Sequence, residues 1–313
     1  MLERILTIKL EFVRNHKRLI SSEIIETVFL LVSILIVATG VQVHNSTGKE
    51  ASEQAKQASE EMWEGADLSM GGVESINVEP ISKETSYIGC YANLDNDPEP
   101  EGIIYADLIE SKSGQWRDGD GTFSYEAITT RLKDYYISDT GVVGTFGTEP
   151  RDVITVVSGS IGANRFYVMA LEDFNKGTSY CWYDAAYSRI TDYSTVTSGD
   201  FGSGAKNTAT MIEKWNTSEY GKQNDNGTYK DVWGEIQGEV NKGWFVPSRG
   251  EWSAFVYNLG ITTGNCSTYG LSDTCWASSL STNSRAWLAN FRTGYVYGYS
   301  VTNCSFVRLS VTF

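Results

Sequence analysis

Histidine is nearly missing from this 313-residue chain: only His16 and His44 occur, so none follows residue 44. That excludes serine–histidine triads, imidazole zinc ligands and the commonest general base from everything downstream. Cysteine is scarce as well. Cys90, Cys181, Cys266, Cys275 and Cys304 show no metal-binding spacing, and five cannot all pair within one chain. Free or partly buried thiols are the expectation; spacing leaves a single bridge open, such as Cys275 to Cys304. Basic side chains number 25 against 39 acidic ones, a net charge of −14, and the first 26 residues carry +1 of it, leaving −15 for the rest. Such a surface repels phosphate backbones, which argues against a nucleic-acid partner.

Complete ligand motifs are missing too. Asp118-Gly119-Asp120-Gly121 with Glu126 lacks the third acidic position and the glutamate spacing of an EF-hand, and Asp95-Asn96-Asp97-Pro98-Glu99 is similarly incomplete, so both read as solvated turns. In Ser198-Gly199-Asp200-Phe201-Gly202-Ser203-Gly204 no Lys-Ser/Thr pair follows, and Asp200 would repel phosphate; this reads as a loop. No catalytic residue, cofactor or metal is expected.

What is present begins with an apolar run. Residues 27–43, TVFLLVSILIVATGVQV, form a 17-residue uncharged stretch at the lower length limit for a membrane-spanning helix. Arg14, Lys17 and Arg18 precede it, whereas Glu50, Glu53, Glu60 and Glu61 follow soon after. The positive-inside rule then puts residues 1–26 in the cytoplasm as a basic leader and the remainder outside, as a single-pass cell-membrane protein in contact with the bilayer. No small-x-small cleavage site follows the run, which argues against a secretory signal. Ser21-Ser22-Glu23-Ile24-Ile25-Glu26 also fits a pilin-like start, with Glu26 fifth in a chain cut after Ser21, although Ser21 stands where prepilins carry glycine. Residues 44–65 are rich in Ala, Glu, Gln and Lys and read as a helical stalk; 66–85 read as a linker.

Residues 86–313 read as one outer domain of α+β class. Runs at 103–108, 153–157 and 166–171 predict strands. Helices are expected over 207–215 and 229–241, the latter from Val232, Ile236 and Val240. A third begins at Ser248-Arg249-Gly250-Glu251, a capping box, with Trp252, Phe255, Val256 and Leu259 on one face and Gly260 as the stop. Strands at 276–279, 286–291, 295–299 and 306–311 then recur about every ten residues.

The ordered landmarks of this tail are Gly243-Trp244-Phe245-Val246-Pro247-Ser248, Trp276-Ala277-Ser278-Ser279, Ser284-Arg285-Ala286-Trp287-Leu288-Ala289-Asn290-Phe291 and Phe306-Val307-Arg308-Leu309. They resemble the C-type-lectin-fold variable proteins of diversity-generating retroelements, a family that includes phage tropism determinants and whose sulfatase-modifying relatives share the Gly-Trp-x-x-Pro-Ser and Trp-x-Ser-Ser landmarks. The resemblance covers 206–313 and extends more weakly over 87–205. It implies a C-type-lectin-like domain with a variable tail at 261–313, where codons rewritten at adenines change a binding face while the scaffold stays fixed. Carried over, Trp276, Ser278, Ser279, Trp287, Asn290, Phe291, Gly294, Val307 and Arg308 match scaffold positions. The positions implied to vary and bind ligand are Asp273, Thr274, Cys275, Ser281, Arg285, Leu288, Arg292, Thr293, Gly298, Tyr299, Asn303, Cys304 and Ser305. Neither the Glu-Pro-Asn, Gln-Pro-Asp and Trp-Asn-Asp motifs of calcium-dependent sugar binding nor the copper-binding cysteine pair of formylglycine-generating enzymes is recognisable. The implied function is a surface receptor or adhesin for a protein or glycan on the outer side, with a minor pilin-like filament subunit and a formylglycine-generating-type enzyme as alternatives.

Independent of that resemblance, Tyr269, Tyr295, Tyr297 and Tyr299 supply the residue type that paratopes favour, large in area and low in rotamer entropy. The tryptophans are expected to fill the core, while Tyr299, Arg285 and Arg292 lie beside turns and are expected exposed.

Overall fold

Residues of β3 (Gly102–Asp107) are buried without exception, and this central strand sets the architecture. A strand buried along its whole length must be covered on both faces. Its sheet has seven strands in the order β1 (Val78–Pro80), β6 (Tyr135–Val142), β7 (Arg151–Val156), β2 (Tyr91–Asn93), β3, β8 (Phe166–Ala170), β14 (Ser310–Thr312). Every neighbour is antiparallel except β2 and β7. The computed structural model describes residues 78–95, 97, 99–117, 119–142, 146, 150–183, 190–217, 230–271 and 274–313. The expected leader, membrane span and stalk lie outside them, as does the expected linker up to residue 77. Among the described residues no helix is long and apolar enough to cross a membrane.

Side-chain alternation divides the sheet's two faces. Tyr91, Ile103, Tyr105, Val153 and Met169 point into one core with the helix that follows Ser248; Ala92, Ile104, Ile154, Phe166 and Val168 point into another with Tyr135, Val311 and Phe313. The helices are α1 (Tyr193–Val196), α2 (Gly204–Asn216), α3 (Val232–Glu235), α4 (Gln237–Val240) and α5 (Arg249–Asn258). A hairpin of β4 (Lys112–Gln115) and β5 (Thr122–Tyr125) packs on α5. A three-stranded sheet of β10 (Thr274–Thr282), β11 (Arg285–Asn290) and β12 (Tyr295–Ser300) forms the C-terminal layer, and β13 (Cys304–Ser305) pairs with β9 (Tyr180–Cys181). The protein is therefore mixed α+β, with sheets predominating.

The capping box at Ser248 is formed in full: Ser248 Oγ accepts from the Glu251 amide and Glu251 accepts from the Ser248 amide. Residues 250–256 are all buried, so α5 is enclosed on every side instead of presenting one apolar stripe. Gly260, at φ 62°, follows its end. Gly250 is required by contact, since a Cβ there would lie 2.5 Å from the Phe201 amide nitrogen. Gly250→Ala is expected to cost about 1–3 kcal/mol through overpacking against backbone that cannot move aside, read by urea denaturation.

Three differences from the sequence reading have physical causes. The helix expected over 229–241 is split at Ile236 into α3 and α4; Gly234 and Gly238 weaken its propensity, and Gly234 admits the Trp215 ring where a Cβ would sit at 2.7 Å. The strand expected over 306–311 is broken, β13 ending at Ser305 and β14 starting at Ser310. Between them Arg308 turns inward to donate to Asp173, Tyr269 O and Gly270 O. Part of the expected linker, finally, belongs to the fold: β1 pairs with β6, and the Ser82 and Thr85 carbonyls accept from Arg165.

Candidate ligand-binding face

Two landmarks separated by about thirty residues of sequence meet in space. The Ser278 amide donates to Pro247 O at 2.8 Å and the Arg249 amide to Ser279 Oγ at 3.1 Å. Three indoles complete the joint: Trp252 donates to Trp276 O at 3.0 Å, Trp276 to Tyr180 O at 2.8 Å and Trp182 to Ala277 O at 2.7 Å. A buried indole N–H needs an acceptor, so these bonds fix both the position and the orientation of β10. Trp276, Ser278, Ser279, Phe291, Gly294, Val307 and Arg308 are buried, whereas Trp287 and Asn290 reach the surface in part.

On this base the register of β11 and β12 sets the two faces. Tyr295, Tyr297 and Tyr299 alternate onto one side, opposite Asn290, Leu288 and Ala286. Tyr299 leans on the Trp276 ring at 6.0 Å and Tyr297 meets Tyr299 edge-on at 5.9 Å, so both are half-buried; Tyr295 is 46% exposed. Arg285 and Trp287 share the other side with Gly298. The Arg249 guanidinium lies over the Trp287 ring at 4.9 Å, and its Nη1 is 4.0 Å from Asp120. Trp116 stacks on Phe291 at 5.8 Å and brings the β4–β5 turn alongside, where Arg117 donates to Thr293 O at 2.6 Å and covers the Tyr295 ring at 5.3 Å. Arg117 holds φ 56°, uncommon for a residue with a side chain. Gly294 answers it: φ is 72°, and a Cβ would stand 3.2 Å from Arg117.

The positions implied by the resemblance therefore divide. Arg285, Arg292, Thr293 and Asn303 are exposed; Thr274, Ser281, Gly298, Tyr299 and Cys304 are half-buried. Cys275, Leu288 and Ser305 are a correction: they are buried, Cys275 beside Asp173, Leu288 in the core with Trp276 and Trp233, and Ser305 bonded to Thr274, so a ligand on the surface does not reach them. The cause is that both faces of the three-stranded sheet are covered, Cys275 lying in one core and Leu288 in another, while Ser305 is held in the β9–β13 pair. Asp273 lies outside the described residues. Arg285 opens β11 and Arg292 lies in the turn beyond its end, so the implied set is a strip along the sheet's edge and turns rather than one cluster. Arg117, Asp120, Arg249, Trp287 and Tyr295 were not among the implied positions. Only the docking of the β4–β5 turn adds Arg117 and Asp120, which no local pattern announces.

Two of the thiols are held back by burial. Burial pushes the Cys90 thiol up to about 11 and Cys275 well above its ordinary value. Cys304 faces Cys181, not Cys275. In the loop after β2, carboxylates of Asp95, Asp97 and Glu101 come within 4.8 Å of one another. They accept from the loop's own amides at Leu94, Asp97 and Glu99, consistent with an acidic turn. Comparison with known proteins finds no matching family model, no matching curated protein and no matching solved structure.

Proposed function

We propose that this chain is a membrane-anchored surface receptor or adhesin that binds a protein or glycan noncovalently through the C-terminal sheet of a C-type-lectin-like domain, its exposed positions diversified. The observation that carries the reading is the division of labour in that sheet. The residues matching family landmarks are mostly locked into the core, while the turns and edge positions of the same strands present arginine and aromatic groups to solvent. Arg117 covers Tyr295 on one side of the sheet and Arg249 covers Trp287 on the other, where Arg285 also lies, on a chain whose net charge is −14. Guanidinium forks beside aromatic rings suit a ligand bearing carboxylates, because the fork pairs with both oxygens and the ring supplies area. The acidic remainder of the surface disfavours other anions and so sharpens the choice.

Sequencing the 3′ end of the gene with its flanking DNA, across many related cells, tests diversification. Substitutions confined to exposed positions such as Arg285, Arg292 and Thr293, matched to adenines in a nearby template repeat, are the expected result. A uniform tail with neither template nor reverse transcriptase nearby leaves a fixed adhesin and removes the diversification claim. The scaffold makes a second prediction. Arg285→Ala and Arg292→Ala are expected to change unfolding free energy by at most about 0.5–1 kcal/mol, whereas Trp276→Ala costs about 3–5 kcal/mol. Chemical denaturation of the three variants separates the outcomes; comparable losses at all three would remove the distinction between scaffold and face.

A further inference from the structure

We propose that Cys181 and Cys304 form a redox-sensitive cross-link that fastens the end of the C-terminal sheet to the segment before α1. The two residues are direct partners in the antiparallel β9–β13 pair, and their sulfurs stand 3.4 Å apart. Antiparallel partners bring their Cα atoms within about 4.5–5.5 Å, inside the range a disulfide spans. No other pairing has this support: the Cys275 sulfur is directed at Asp173 and the Cys266 sulfur at Thr263 O. Cys304 is partly exposed and Cys181 buried, which sets the order of attack.

The oxidant is a low-molecular-weight disulfide. The Cys304 thiolate attacks one of its sulfurs, forming a mixed disulfide and releasing the first small thiolate. The Cys181 thiolate then attacks the Cys304 sulfur, forming the protein disulfide and releasing the second. Both protein thiol protons end on the two small thiols, so two electrons leave the protein and reduce one small disulfide. The bond closes a long loop spanning positions 181 to 304. It also pins the turn after β12, where the Tyr183 amide donates to Val301 O, next to the exposed Asn303. Oxidation thereby stiffens one end of the sheet whatever its ligand is.

The purified full-length chain, equilibrated in buffers of oxidised to reduced glutathione, is expected to lose two of its five free thiols, with peptide mapping joining the Cys181 and Cys304 peptides. Cys181→Ser and Cys304→Ser should each abolish that loss, while Cys275→Ser keeps it. The midpoint of thermal unfolding is expected to rise by roughly 5–10 °C on oxidation of the wild type and not of Cys304→Ser. Five thiols persisting in fully oxidising buffer, or a map joining any other pair, overturns the proposal. If Cys181→Ser does not fold, Cys304→Ser decides alone, since residue 304 is partly exposed and tolerates the change.

Discussion

Arg165→Ala is expected to remove about 3–5 kcal/mol of stability. Arg165 is 2% exposed and Asp107 fully buried, joined by two bonds at 2.7 and 2.9 Å. Two further donors reach Ser82 O and Thr85 O, each at 2.8 Å, and the guanidinium lies over Tyr87 and Phe166. Asp107 in turn accepts from the Tyr87 amide at 3.0 Å. Removing the arginine strands a buried carboxylate and two carbonyls, and frees the segment 82–87 from the sheet. Lysine cannot replace it, because one ammonium does not span a carboxylate and two carbonyls at once. Denaturant unfolding of Arg165→Ala, Arg165→Lys and the double variant Arg165→Met with Asp107→Leu checks this. The double variant should recover part of the loss, since it leaves no buried charge unpaired, although Ser82 O, Thr85 O and the Tyr87 amide still lose their partners. Single variants that lose under 1 kcal/mol would show that the ion pair does not hold the segment.

Glu251 is the second such site and adds a pH dependence. Its carboxylate is fully buried and accepts from the amides of Ser248, Gly202 and Gly204, tying α5 to the loop 198–204 and to the start of α2. Glu251→Ala leaves the buried amides of Ser248 and Gly204 and the partly buried amide of Gly202 without their acceptor, an expected cost of about 3 kcal/mol. Burial pushes the carboxyl from 4.5 up to about 7, opposed by those three amides. Between these values the folded chain holds a proton that the unfolded chain releases. The stability from this shift is thus complete below pH 4.5 and is lost as pH rises through 7, about 3 kcal/mol in all. Glu101, also pushed up to about 7 chiefly by burial, contributes a slope of the same sign. The informative quantity is therefore the difference between wild type and Glu251→Gln, measured by denaturation from pH 4.5 to 8. Parallel curves would remove the assignment.

Local chemistry was legible wherever a short-range rule sufficed. The capping box at Ser248, the stop at Gly260 and the strands at β3, β7, β8, β11 and β12 follow from side-chain oxygen, glycine and alternation within ten residues. The loop at 198–204 was legible as a loop, but not what holds it. Its anchor, Glu251, lies about fifty residues on and reads locally as nothing more than a capping residue. The break at Ile236 was hidden because every-fourth apolar spacing is the same for one helix or two.

The candidate face shows the same boundary. Composition and order determined by themselves that this chain has no histidine after residue 44, a net negative charge, an α+β domain over 86–313 and a tail that carries four tyrosines. Only tertiary structure decided which tail residues face solvent. Cys275 and Leu288 lie on strands paired between two cores, and Ser305 in the β9–β13 pair, so all three are buried. The tertiary fold alone also brought Arg117 to Tyr295 and Asp120 to Arg249, and set Cys181 against Cys304 across 123 positions. Side-chain direction and long-range register depend on which surfaces are buried together, and that is a property of the packed whole.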